Sequence, residues 1–222
     1  MFGVKKEKNI LIEIDGTDFS SKTTLITALK GNDVFNNWNF CRLPGTSKLG
    51  EILRPVVKEM ELKPNTSLGV ALAGMSSAYY DMAEMNTNII TDRGLSSVIM
   101  YQFNLDGAYK DNPVLAEAVF NSLRRQVENS FDYYRVILTA TPETIKARKA
   151  ARGVEAADRF DNIDEEGIKN NVEGYKAIIR DGAHFNILKT YYIPTDELTV
   201  EEEVEAFLSI IDDINKRRNG EE

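Results

Sequence analysis

Between Gly16 and Thr23 the chain reads GTDFSSKT, a turn that ends with a lysine beside a hydroxyl and follows an apolar run. That order suits phosphate binding. Backbone N–H groups curling at the start of a helix can surround an anion, and the helix dipole favours negative charge there. The Lys22 ammonium would neutralise the outer phosphates of a nucleotide, and the Thr23 hydroxyl would reach a magnesium ion. Set beside G-x-x-x-x-G-K-[S/T], the stretch matches at Gly16, Lys22 and Thr23 and departs at Ser21. A side chain there stands where glycine lets backbone and phosphate come close. Asp18, Ser20 and Thr24 complete the candidate cradle. The alternative is an ordinary polar turn between strand and helix.

Asp92-Arg93 closes the apolar run NIITD, at a strand end where α/β proteins place ligands. The pair reads either as a buried ion pair or as two charges that face a ligand at that strand end. Arg148, Arg152 and Arg159 form an arginine-rich stretch. It reads either as a solvated helix face pairing with Glu155 or Asp158, or as a set of guanidinium forks that stabilise charge on a transferring phosphoryl group. Gly153, Ala156 and Ala157 suit a segment that moves, and residues 148–162 are the candidate lid.

The 222 residues suffice for one α/β domain, and no repeat or linker divides them. Apolar runs at 9–15, 40–43, 88–92, 134–140 and 191–194 read as five strands. Between and after them, 22–30, 50–59, 67–85, 96–103, 113–129, 142–152, 165–180 and 200–218 read as helices. Strands apolar throughout and alternating with helices imply a five-stranded parallel sheet covered on both faces. One cysteine, Cys41, excludes an internal disulfide and suits a reducing, cytoplasmic setting; its apolar neighbours favour a core role. His184, the one histidine, rules out a multi-histidine metal site and reads as a surface or helix-end residue. The apolar run at 10–14 ends at Asp15, too early for a signal peptide, and no run is long enough to cross a bilayer. A net charge of −8 counts against broad binding of nucleic acid and favours a mononucleotide in a small basic pocket.

The chain resembles the thymidylate kinases over most of its length. Their E-G-x-D-G-A-G-K-T-T loop is matched by Asp15 to Thr24, and their T-R-E-P-G-G-T-x-L-G-E block by Cys41 to Glu51. Their S-D-R-Y-x-x-S-x-x-A-Y-Q block is matched by Thr91 to Gln102, and their D-V-x-P-E strand-and-lid segment by Leu138 to Glu143 with Asp158-Arg159 beyond. The resemblance implies a P-loop kinase fold, ATP and Mg²⁺ as cofactors, and a homodimer. It implies that Asp18 meets the acceptor sugar, that Arg93 grips the acceptor phosphate with Arg42 and Ser97 nearby, that Asp92 sits by the metal, and that Tyr101 lies against a deoxyribose. Because Phe19 fills the loop position that carries an arginine in some members, the catalytic arginine is expected in the lid, at Arg152 or Arg159, with Arg148 on the ATP side. The family's base-stacking phenylalanine and base-bonding arginine align with Ala73 and Ser77, so thymine recognition does not carry over. The expected activity is phosphoryl transfer from ATP to a deoxynucleoside monophosphate, thymidylate or a related or modified pyrimidine. The alternatives are a kinase acting on a deoxynucleoside or on a modified base in DNA, and a nucleotide-binding module without turnover.

Overall fold

Residues 7–152, 164–180 and 189–221 are described by a computed structural model. Arg159, His184, Glu155, Asp158 and most of the expected lid lie outside them. Strand β1 (Asn9–Gly16) is buried almost end to end because it is the middle strand of the sheet. It pairs with β3 (Asn88–Asp92) on one side and β4 (Phe131–Thr139) on the other; β2 (Trp38–Arg42) and β5 (Lys189–Pro194) form the edges. Every pairing is parallel, giving the order β2-β3-β1-β4-β5.

The alternation of side chains along a strand divides the core in two. Ile10, Ile12, Ile14, Ile90, Val136 and Leu138 pack with Leu25 and Leu29 of α1 (Lys22–Lys30) and Phe207 and Ile214 of α9 (Val200–Asn219). Leu11, Ile89, Tyr133 and Ile137 face the other way, onto α3 (Pro64–Glu84) and α6 (Pro113–Ser130). The expected parallel sheet with helices on both faces is therefore the observed one. A smaller cluster joins Ile145 of α7 (Pro142–Arg152) to Ile168 and Val172 of α8 (Glu165–Arg180), with Ala140 and the ring of Phe19.

Several elements differ from the sequence reading: α3 begins three residues early, β2 and β5 begin two residues early, and three others differ as follows. The helix expected at 96–103 is a short α4 (Leu95–Ser97) that widens into a π-helix over Val98–Leu105, closed by a 2.7 Å bond from the Asp106 N–H to the Tyr101 carbonyl. β4 begins at Phe131, three residues early, because Asp132 hides the apolar pattern; in the fold its carboxylate meets Arg218 at 3.3 Å. α2 (Lys48–Glu59) starts earlier than expected, capped by the Ser47 hydroxyl, which accepts from the Gly50 N–H at 2.9 Å. Cys41 is half-buried beside the α3–α6 core.

Candidate active site

At the carboxyl ends of β1, β3 and β4 lies a cleft of about 1210 Å³, walled by the 16–24 loop, α2, α3, the π-helix, α7 and α9. Gly16 opens the loop at φ 147°, and a Cβ there would stand 2.2 Å from the Leu138 carbonyl, so only glycine fits. Lys22 is buried, with Nζ donating to the Gly16 carbonyl at 2.8 Å and the Thr17 carbonyl at 2.5 Å. Burial, helped by the Arg93 charge, lowers its pKa. Ser21, where the motif has glycine, adopts a left-handed backbone at φ 76°. Its hydroxyl donates to the buried Glu203 on α9 at 2.9 Å, a bond that glycine could not make. Ser21, Lys22, Thr23 and Thr24 line the cleft, whereas Ser20 is fully buried beneath the loop.

Asp18, from the 16–24 loop, and Arg93, Ser97 and Tyr101, from the Thr91–Gln102 block, come together in one cluster. The Arg93 guanidinium binds Asp18, donates to the Tyr101 hydroxyl at 3.0 Å, and lies 3.7 Å from Asp15. Tyr101 donates in turn to Asp18 at 2.9 Å, and its ring lies 5.0 Å from the guanidinium carbon. Burial would raise the Asp18 pKa, but the charges of Arg93 and Lys22 overcome it and hold the carboxyl at about 2. Beneath the cluster, the buried Asp15 carboxylate accepts from the Gly16 N–H (2.8 Å), the Ser97 hydroxyl (2.6 Å) and the Tyr175 hydroxyl (2.9 Å). It thus joins the phosphate loop, α4 and α8. Asp92 lines the cleft with Arg42 3.4 Å from its carboxylate, on the adjacent strand.

Of the arginines expected in the lid, Arg148 donates to the Phe19 carbonyl at 3.3 Å, to the Thr195 hydroxyl at 2.9 Å and to the Thr195 carbonyl. It ties the loop to the end of β5 while lining the cleft. Arg152 stands over the Phe19 ring at 5.8 Å and also lines the cleft. Arg159 lies outside the described residues.

The expected base wall is displaced. Neither Ala73 nor Ser77 lines the cleft; Ala71 and Met75 do, two residues earlier on α3. Met75 is a buried core residue, and Leu72, partly buried, packs against the same core. Arg54 and Lys58, one turn apart on α2, also line the cleft, as do Gln102, Leu43, Pro44 and Val98. The i, i+4 spacing of two cations just after the Cys41–Glu51 block was the available signal for Arg54 and Lys58.

For a magnesium ion the donors fit: Thr23 and Asp92 each put an oxygen-bearing side chain on the cleft, and Mg²⁺ takes few protein ligands when phosphates and water supply the rest. Among the described residues no cluster of three or more histidine, cysteine or carboxylate groups forms an all-protein metal site. No described helix is long and apolar enough to cross a membrane.

No family model matches the sequence, and no curated protein matches it. Among solved structures, the thymidylate kinase of Candida albicans superposes with a TM-score of 0.66 at 15% identity, covering 94% of this chain and 93% of that one. The thymidylate kinase of Ehrlichia chaffeensis superposes with a TM-score of 0.59 at 19% identity, covering 91% and 99% respectively. Sheet order, phosphate loop and cleft define a P-loop α/β protein. Within that class, its fold is the one the thymidylate kinases have.

Proposed function

We propose that the chain transfers the γ-phosphoryl group of ATP to a deoxynucleoside monophosphate, a thymidylate-like or 5-modified pyrimidine, giving the diphosphate and ADP. The observation that carries this reading is the Arg93–Asp18–Tyr101 cluster, which shares one cleft with Lys22 and Thr23. A guanidinium held on the acceptor side and an ammonium on the donor side suit two phosphate groups brought end to end. The reaction asks the protein for position and charge stabilisation, with no covalent intermediate.

In this reading the loop amides and Lys22 hold the donor phosphates. Arg93, with Arg42 and Arg54 alongside, orients the acceptor phosphate oxygen for in-line attack. Arg152 stabilises charge on the moving phosphoryl group, and Arg148 keeps the loop in shape. A bound Mg²⁺, held by Thr23 and Asp92, would neutralise phosphate charge. Tyr101 and Asp18 take the sugar. Met75, Ala71, Leu43, Pro44 and Val98 give the base an apolar wall without an aromatic face, with Gln102 as the polar contact. A thioether can lie against a nucleobase face, and the small Ala71 leaves room for a substituent on the ring. The same reading includes a homodimer.

Coupled ADP release tests it, with MgATP and thymidylate, deoxyuridylate or 5-hydroxymethyl-deoxyuridylate offered singly. Turnover with at least one of them, reduced about a thousandfold or more by Lys22→Ala and by Arg93→Ala, is the expected result. ATP binding with no acceptor-dependent ADP release would overturn it.

A further inference from the structure

Glu13 lies in the middle of β1, fully buried, and does not line the cleft. An apolar residue would serve the central strand of a parallel sheet better, since a buried carboxylate is costly unless it is hydrogen-bonded and paired. Glu13 has both kinds of partner. Its two oxygens accept from the backbone N–H groups of Leu95 (3.0 Å) and Ser96 (2.9 Å). Its register partner on β4 is Arg135, whose buried guanidinium attracts the carboxylate but does not offset its burial, which pushes the Glu13 pKa up to about 7. Among the described residues, none of the guanidinium nitrogens of Arg135 has a hydrogen-bond partner, so what it offers Glu13 is charge.

The residue beside this carboxylate is Gly94. Its φ of −173° is extended backbone that any residue adopts, so conformation does not explain the glycine. Space does: a Cβ on Gly94 would stand 2.5 Å from the Glu13 carboxylate. Glu13 thus occupies the volume that a side chain at position 94 would need, and from there holds the first two amides of the segment that carries Ser97 and Tyr101. Arg93, at φ 72°, is the residue just before.

We propose that Glu13 is the positioning residue of the acceptor site: its carboxylate, seated in the space left by Gly94, anchors segment 94–101 to β1 and so fixes Arg93 and Tyr101 relative to Lys22. The proposal rests on the acceptor reading given above. It makes Glu13 and Gly94 a matched pair, each required by the other.

The test uses the full chain and two variants. Glu13→Gln keeps the shape and removes the charge; Gly94→Ala leaves Glu13 in place and fills its space. Amide hydrogen exchange without ligand should speed up about tenfold in 94–101 for both variants, with α1 and α9 unchanged. In turnover with thymidylate and MgATP, the KM for thymidylate should rise about tenfold while that for MgATP stays within about twofold. Unchanged exchange in 94–101 in either variant would overturn the proposal. Exchange raised evenly across the sheet, with both KM values moving together, would overturn it too, because that is the signature of an ion pair that only stabilises the fold. Should the wild-type chain turn over no monophosphate, the kinase reading falls while the exchange measurement still decides the role of Glu13.

Discussion

Asp18 stays ionised because Arg93 binds it and Lys22 lies near, and together they outweigh the cost of its burial. Its pKa of about 2 lies below the ordinary 3.8, so the stability it contributes is present above 3.8 and lost as pH falls through 2. The contribution is roughly 2 kcal/mol. Denaturant unfolding between pH 5 and pH 2 should therefore show a loss of stability that Asp18→Asn largely removes; equal slopes for the two proteins would contradict this. Lys22 and Arg93 were legible in the sequence because a strand–loop–helix turn and a strand end carry recognisable chemistry; Asp18 and Tyr101 were picked out by the resemblance alone. The partners that hold them were not. Glu203, which accepts from Ser21, is 182 residues away in the chain, and Tyr175, which donates to Asp15, is 160 residues away. Contacts of that range leave no local pattern to read.

Helices α2 and α3 show the limit of periodicity. Their existence was readable, but the rotation of α3 about its own axis was not, because small residues occur all round it: Gly69, Ala71, Ala73, Gly74, Ser76, Ser77 and Ala78. No single apolar stripe selects the inward face: Ala73 and Ser77 align with the family's base-recognition positions, while Ala71 and Met75 are the α3 residues that line the cleft. What fixes the rotation is a close approach of two elements: a Cβ on Gly74 would stand 3.1 Å from Pro44, and one on Gly50 only 1.5 Å from the Pro44 carbonyl. Gly50→Ala must push α2 outward, taking Arg54 and Lys58 with it. The expected cost is about 3 kcal/mol, a fall of roughly 6–12 °C in melting temperature, measurable by calorimetry. The π-helix at Val98–Leu105 was equally hidden, since its first four residues, Val98 to Tyr101, form an unbroken buried run that gives no period to count.

The chain carries a net charge of −8, yet its cleft gathers Lys22, Arg42, Arg54, Lys58, Arg93, Arg148 and Arg152 against the four carboxylates of Asp18, Glu59, Asp92 and Glu203. An acidic exterior with a cationic interior admits small anions while repelling long ones. Raising salt from about 0.1 M to 1 M shortens the Debye length from about 10 to 3 Å, so the KM for MgATP should rise several-fold with a smaller change in kcat; a salt-independent KM would count against a charge-gathering cleft. The parallel sheet behind this arrangement was the most legible feature of all, because strands buried on both faces read as nearly continuous apolar runs. One contact within it has a thermodynamic consequence. The Phe19 ring packs with Ala140, Ile145, Ile168 and Val172, so the phosphate loop shares an apolar cluster with α7 and α8. A loop tethered this way has given up much of its conformational freedom during folding. On the proposed reading, a phosphate that arrives there would meet a loop already held in place, and its binding would forfeit less entropy than on a loop left loose in water.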